Sequence, residues 1–499
     1  MDVKNILLDK YTVYPYEIKI IEADNKIYYY PKLLIKEDLE LKFLIGYIVR
    51  DIVASFIKKN DLLEEIECLS LRKIMNIVEN VYDSIVNELR MKKSNIFSNE
   101  IIEKIKPYTL LKVLKLSFLS VFLLDELIME IYIDEDPGIL YIDHENWGRC
   151  EFPFKINRKK IERIKHLVEV ESGELLTEDN PSLKIDLSTK FFKVRITIDG
   201  YPLSNNGIHI DIRKFKNSPI TIFDLIRVGT ISAEIAAFLI IAVLHRINIV
   251  IVGRVGTGKT TLANALDMLT PATWRKIYLE QINESLDLTH LGHKQVKYKI
   301  GKQFSYFIES VNLLHKNPDY IFFGEILTKD QSESLFHALL AGLTGIETFH
   351  ADSAEDAIRR WIFYHGIPVE VVAKAGIIIN MIKIRDILGR VKFRVKEITE
   401  VRYCPNSRNI ELKTLFSWDS KNDKYILNFS SLEEIETIKR NTIRAHKNID
   451  HLYMKVLNLI NNHLRDEHYE ISNFLSNLIE LFKSRDENYV IKKNVQQTI

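Results

Sequence analysis

The run Gly253-Arg-Val-Gly256-Thr257-Gly258-Lys259-Thr260-Thr261 limits the possible folds more than any other segment. It is preceded by Ile247 to Val252, a mostly β-branched segment of strand length, and followed by apolar residues at helical spacing, Leu262, Ala265, Leu266 and Leu269. The pattern G-x-x-x-x-G-K-[ST] between a strand and a helix is a phosphate cradle. Its glycines let successive backbone N–H groups point inward, and the helix that follows offers unpaired amides and a positive dipole end. The flanking strand and helix weigh against a mere glycine-rich turn with a surface lysine. A nucleoside triphosphate site therefore comprises Gly253, Gly256, Thr257, Gly258, Lys259, Thr260 and Thr261. Lys259 reaches the β- and γ-phosphates, and the Thr260 hydroxyl ligates Mg²⁺.

Such a site needs a carboxylate at the end of a neighbouring strand. Tyr320-Ile-Phe-Phe323, entered after Asn317-Pro-Asp, reads as that strand and delivers Gly324-Glu325. Glu325 is the candidate to hold the metal's water shell and to polarise the attacking water. Two further strands are expected. Ile277 to Leu279 is followed by Glu280-Gln-Ile-Asn-Glu284, and Ile346 to Phe349 by His350-Ala-Asp-Ser, after a helix from about Thr328 to Leu343. Glu280, Glu284 and His350 would then line the same crevice. Taken singly, each is more often a satisfied or solvated residue.

Glycine usage points to the same region. Of 18 glycines, 12 lie between Gly229 and Gly389, where the backbone turns tightly or approaches a ligand. Among these, Gly345 is read as part of the turn before His350. Lys plus Arg is 69 against 68 for Asp plus Glu, which argues against a general nucleic-acid coat protein. Three separated cysteines, Cys68, Cys150 and Cys404, exclude a disulfide scaffold or a zinc ribbon and fit a reducing compartment. The N-terminus lacks the apolar core of a signal peptide. The best membrane candidate, Ala236 to Leu244, is far short of the roughly 20 residues a span requires. The expectation is a soluble, intracellular protein.

Periodicity divides the chain into a mainly helical domain over 1–115, with Glu22 to Ile35 as a short strand and Pro107 as punctuation, and a compact α+β domain over 116–215. A linker over 216–229 follows, with Pro219. Then come an α/β domain with a parallel sheet over 230–435, opening on a helix capped by Ser232, and a charged, glycine-free helical tail over 436–499.

From Leu124 to Asn428 the chain resembles the secretion and pilus-assembly ATPases of the type II/type IV secretion superfamily, particularly its archaeal branch that builds pili and archaella. The resemblance rests on Ile208-His-Ile-Asp-Ile-Arg213-Lys-Phe215, the cradle, the acidic box Tyr278-Leu-Glu280-Gln-Ile-Asn-Glu284, the Walker B segment Pro318 to Glu325, and the His box Thr348-Phe-His350-Ala. It implies an N-terminal domain, a PAS-like α+β domain and a RecA-like ATPase domain assembled as a homohexamer, with nucleotide between the last two. It implies that Arg195 and Arg213 close on the γ-phosphate as arginine fingers, that Glu284 is general base, and that His350 senses nucleotide. It further implies a polytopic inner-membrane platform protein as partner, a cytoplasmic location peripheral to the membrane through that partner, no zinc and no nucleic acid.

Three positions depart from the family pattern. Gln281 stands where an aspartate is usual, Leu327 where an arginine follows Gly-Glu-Ile, and Gly345-Ile346 replaces Gly-His. The leading expectation is Mg-ATP hydrolysis that powers assembly of a type IV pilus-like filament. A RecA-like DNA-uptake or conjugation motor, and an ATP-binding subunit without turnover, are the alternatives.

Overall fold

The computed structural model describes residues 6–36, 38–58, 71–91, 98–136, 138–215, 219–281, 284–300, 315–386, 388–441, 448–465 and 471–483. The chain forms two compact units. One comprises Met1–Ser218 with Asp386–Val391, the other Pro219–Arg385 with Lys392–Ile499.

The first unit is built on a nine-stranded sheet. Its strands are β1 (Ile6–Val13), β2 (Tyr16–Ala23), β3 (Lys26–Leu33), β4 (Ile128–Asp134), β5 (Ile139–His144), β6 (Gly148–Glu151), β7 (Ser182–Ser188), β8 (Lys193–Asp199) and β9 (His209–Phe215). They lie in the order β1-β2-β3-β6-β5-β4-β9-β8-β7. Strand alternation is clearest in β2, where Tyr16, Ile18 and Ile20 are buried while Glu17 and Lys19 between them are less so. The expected division at residue 115 is thereby corrected, because residues 6–33 share one sheet and one apolar core with residues 128–215. Pro107, expected to punctuate the chain, lies inside the helix Asn99–Val113. Burial of Ile105, Tyr108, Leu110 and Leu111 around it outweighs the hydrogen bond that proline cannot donate.

The second unit carries β10 (Ile249–Val252), β11 (Arg275–Glu280), β12 (Lys294–Lys299), β13 (Tyr320–Ile326), β14 (Gly345–Phe349), β15 (Ile377–Arg385), β16 (Val391–Cys404), β17 (Asn409–Asp419) and β18 (Lys424–Leu427). Their order is β12-β11-β13-β14-β10-β15-β16-β17-β18. The β12-β11-β13-β14-β10-β15 portion is parallel, as expected of a RecA-like α/β domain, and β16, β17 and β18 pair antiparallel. Strand β10 is Ile-Val-Ile-Val because it is covered on both faces. Ile249 and Ile251 pack into one core with the helix Ala233–Leu244, and Val250 and Val252 into the other with Phe336, Phe349 and Trp361.

The helix Ala233–Leu244, with Ser232 as its N-cap, is the apolar stretch that came nearest to a membrane segment. Residues 235–243 are all buried in the core, where each large side chain contributes roughly 1.5–3 kcal/mol. No helix among the described residues is long and apolar enough to cross a membrane. Residues 216–218 of the expected linker lie outside the described residues. The rest of it contains the helix Ile222–Arg227, started by a capping box of Thr221 and Asp224 and anchored by buried Ile222, Phe223 and Leu225. The expected tail is likewise part of the second core. Leu452, Val456, Ile460, Phe474 and Leu478, from helices Ile449–Arg465 and Ile471–Lys483, are buried there.

Candidate functional site

Strand β10 ends at Val252 and the chain enters the cradle through Gly253, Gly256 and Gly258, with φ of +153°, +71° and +87°. At Gly253 a side chain has no room, since a Cβ would meet the Met381 carbonyl oxygen at 2.5 Å and Thr257 Oγ1 at 2.6 Å. Gly258 is the N-cap of the helix Lys259–Asp267, and no side chain caps it. A helix start left open in this way, behind two left-handed glycines, is suited to an anion. Lys259 is buried and its ammonium donates to the carbonyls of Gly253 and Arg254, each at 3.0 Å. The Arg254 guanidinium pairs with Asp352 through two bonds of 2.9 Å, which ties the cradle to the segment after β14. That pairing holds the Asp352 carboxyl below its usual range.

Strand order decides which groups meet. The Glu325 strand was expected beside the cradle strand, but β14 lies between β13 and β10. His350 follows β14 and so stands between the two sites. Its Nδ1 is 3.5 Å from Lys259 Nζ, and its Nε2 contacts Glu325 Oε1. The pairing of β13 with β14 shifts register between Phe323 and Ile326, and Glu325 is exposed there.

The acidic segment comes from the next strand, β11. Thr260 Oγ1 donates to Glu284 Oε2 at 3.0 Å. Glu280, expected to line the crevice, is buried at 3% exposure and serves the segment's backbone instead. Its carboxyl group accepts from the amides of Glu284 and Ser285, at 3.1 and 2.9 Å, and from the Ser285 hydroxyl at 2.5 Å. Burial pushes its pKa up against those bonds. Glu280 also explains Gly324, where a Cβ would lie 2.8 Å from Glu280 Cγ. Gly345 is the first residue of β14 rather than part of a turn before His350, and a Cβ there would lie 2.1 Å from the Ile321 carbonyl oxygen.

Lys259, Thr260, Glu284, Glu325 and His350 thus form two contact chains around the cradle, Lys259–His350–Glu325 and Thr260–Glu284. Arg195 and Arg213 lie in the other unit, as cross-strand partners on β8 and β9. Arg195 is nearly buried and held by Asp186 at 2.8 and 3.3 Å, with its guanidinium over the Phe215 ring. Arg213 is half exposed, with its Nε 3.8 Å from Glu130 Oε1. Sequence reading passed over Arg254, Asp352 and Asn264. Helical spacing alone places Asn264 one turn beyond Thr260, on the same face.

The sequence model of the Type II/IV secretion system protein family matches residues 151–379. An uncharacterized protein of Methanocaldococcus jannaschii is 31% identical over 213 residues, covering 40% of this chain and 76% of that protein. The chain belongs to the type II/IV secretion system protein family. Type II secretion system protein E of Pectobacterium carotovorum subsp. carotovorum is 26% identical over 203 residues, 40% of this chain and 39% of that protein. The chain therefore spans only about two fifths of that secretion-family relative's length. Among solved structures, the ATPase DotB of Yersinia pseudotuberculosis aligns at 17% identity over 77% of this chain and 95% of its own, with a TM-score of 0.42. The family match takes in the cradle, the acidic segment, Glu325 and His350, together with Arg195 and Arg213.

Proposed function

We propose that this protein is a hexameric ATPase that hydrolyses Mg-ATP to power assembly of a type IV pilus-like filament, or secretion, through a membrane platform protein. The observation that carries the reading is the Thr260–Glu284 contact at 3.0 Å, beside a cradle whose helix start carries no capping side chain. The site places a carboxylate next to the hydroxyl that would face a triphosphate's metal.

The Thr260 hydroxyl and the Glu325 carboxylate, the groups read as serving the metal, are both oxygen donors, which suits Mg²⁺. Among the described residues no group of three or more His, Cys, Asp or Glu forms a metal cage, and Mg²⁺ in nucleotide sites relies on phosphate oxygens rather than on such a cage. When bound, the ion neutralises charge on the phosphates.

The protein's own residues divide the remaining work. Backbone amides at the start of the helix Lys259–Asp267 bind phosphate. Lys259 exchanges the Gly253 and Arg254 carbonyls for phosphate oxygens. Glu284 orients the attacking water and takes its proton. His350, between Lys259 and Glu325, reports which of them has moved. Work on a platform protein at the cytoplasmic face of the membrane follows from the family's implied partner and is part of the same proposal.

Phosphate release by purified protein, measured with and without Mg²⁺ across protein concentration, tests the reading. Turnover that requires Mg²⁺ and rises with assembly supports it. Tight nucleotide binding without phosphate release would instead identify an ATP-binding assembly subunit, and stimulation by single-stranded DNA a nucleic-acid motor.

A further inference from the structure

Asn264 lies four residues after Thr260 on the helix that starts in the cradle, and is almost buried. Its side chain makes two bonds, both to the backbone of the acidic segment. Nδ2 donates to the Glu284 carbonyl at 3.0 Å, and Oδ1 accepts from the Leu286 amide at 3.1 Å. The partners fix the amide's orientation, because a carbonyl requires the NH₂ end and an N–H requires the oxygen. Aspartate would set two acceptors against one donor and one carbonyl, and leucine would satisfy neither.

On its other side the same segment is held by Glu280, which takes the amides of Glu284 and Ser285. Residue 284 is thus fixed through its N–H by Glu280, through its C=O by Asn264, and through its carboxylate by Thr260. Gln295 braces the segment further along, donating to the Leu286 carbonyl at 3.1 Å and accepting from the Leu288 amide at 2.7 Å. Gln295 also donates to the Tyr278 hydroxyl, which donates to Asp267 at the end of the cradle helix. The acidic segment is therefore tied to both ends of that helix.

We infer that Asn264 is the positioning residue that couples the cradle helix to Glu284. It holds the Glu284 carboxylate at the nucleotide, and it carries displacement of the helix start on nucleotide binding directly to the general base. The inference rests on the reading of Glu284 as the base. Misplacing a reacting group by about 1 Å costs about 100-fold in rate, so the expected effect is on kcat and not on affinity.

The test uses full-length N264A, N264S and N264D, each with and without E284Q. Single-turnover phosphate release, ATP binding, and hydrogen exchange at the Leu286 amide are read for all of them. In the wild-type background kcat should fall about 10- to 100-fold, with ATP affinity held within about threefold. In the E284Q background the Asn264 changes should add less than about twofold, because the group they position is already disabled. Leu286 exchange should accelerate in N264A while the amides of the cradle helix keep wild-type protection, which separates a lost clamp from a lost fold. Wild-type kcat in N264A, an equal loss in the E284Q background, or unchanged Leu286 exchange would overturn the coupling. A wild-type protein without turnover, or E284Q at the wild-type rate, overturns the reading of Glu284 and with it the catalytic role given to Asn264.

Discussion

The hydroxyl of Thr260 and the carboxylate of Glu284 are joined by a hydrogen bond of 3.0 Å, although 23 residues and a whole strand separate them in the chain. The contact brings the end of β11 to the first turn of the cradle helix. Glu284→Gln keeps an acceptor for Thr260 but cannot take a proton. Turnover should fall about 100- to 10,000-fold while nucleotide binding persists, measured by phosphate release alongside fluorescent-nucleotide binding.

Lys259 and Glu325 sit at the two ends of the contact chain through His350 and should fail differently. Lys259→Ala removes the cation proposed to meet phosphate and should weaken ATP binding by at least about tenfold, a loss of roughly 1.4 kcal/mol. Glu325→Gln should bind ATP normally and lose turnover. Equilibrium binding and single-turnover phosphate release separate the two outcomes, and wild-type behaviour of both variants would contradict the proposed function.

Arg195 and Arg213 face each other across β8 and β9, but their surroundings differ. Arg195→Ala strips Asp186 and the Phe215 ring of their cation and should lower stability by about 1 kcal/mol. Arg213 is half exposed, and its replacement by Ala should change stability by less than about 0.5 kcal/mol. If Arg213 alone meets the γ-phosphate, its loss lowers kcat by about 1,000-fold. Thermal unfolding and steady-state kinetics on both variants decide the division of roles.

Two carboxyl groups give pH effects of opposite sign. Burial holds the Glu347 carboxyl, on the central strand β14, well above its usual range. Its contribution to stability is fully present below the ordinary glutamate value and is lost as pH rises through the raised one. Pairing with the buried Arg394 pulls Asp423 down to about 2, so its contribution is present above the ordinary aspartate value and is lost as pH falls through about 2. Denaturant unfolding as a function of pH should show the slope on the alkaline side vanish in Glu347→Gln and the slope on the acid side shrink in Asp423→Asn.

Gly345 and Gly256 predict different costs. A Cβ at Gly345 lies 2.1 Å from the Ile321 carbonyl, and the backbone there is paired in the sheet. Gly345→Ala should destabilise by about 3 kcal/mol. Gly256 has nothing within 4 Å of such a Cβ and a φ of +71°, so Gly256→Ala should cost about 1 kcal/mol of backbone strain. Chemical denaturation of the two variants gives the comparison.

The strand, glycine turn and helix of the cradle are legible in the chain itself, because the glycines, lysine and threonine of such a turn lie within one local segment. The alternating Ile and Val residues of β10 are equally direct, since two covered faces leave no polar position. Of the N-terminal strands only the stretch Glu22 to Ile35, which overlaps β3, is read as extended; β1 and β2 pair locally with β2 and β3, but what joins them to the sheet of residues 128–215 is the pairing of Tyr28 on β3 with Glu151 on β6, more than a hundred residues away. Pro107 misled for the same kind of reason: the packing that keeps its helix intact is made by other elements.

Local motifs in the chain single out Lys259, Thr260, Glu284, Glu325 and His350 as candidates. Tertiary structure decided which of them touch. Placing β14 between β10 and β13 puts His350 between Lys259 and Glu325, and placing β11 beyond β13 brings Glu284 to Thr260 and buries Glu280 against Gly324. Strand order is a property of the whole sheet. It follows from packing two apolar faces at once, which no local run of residues records.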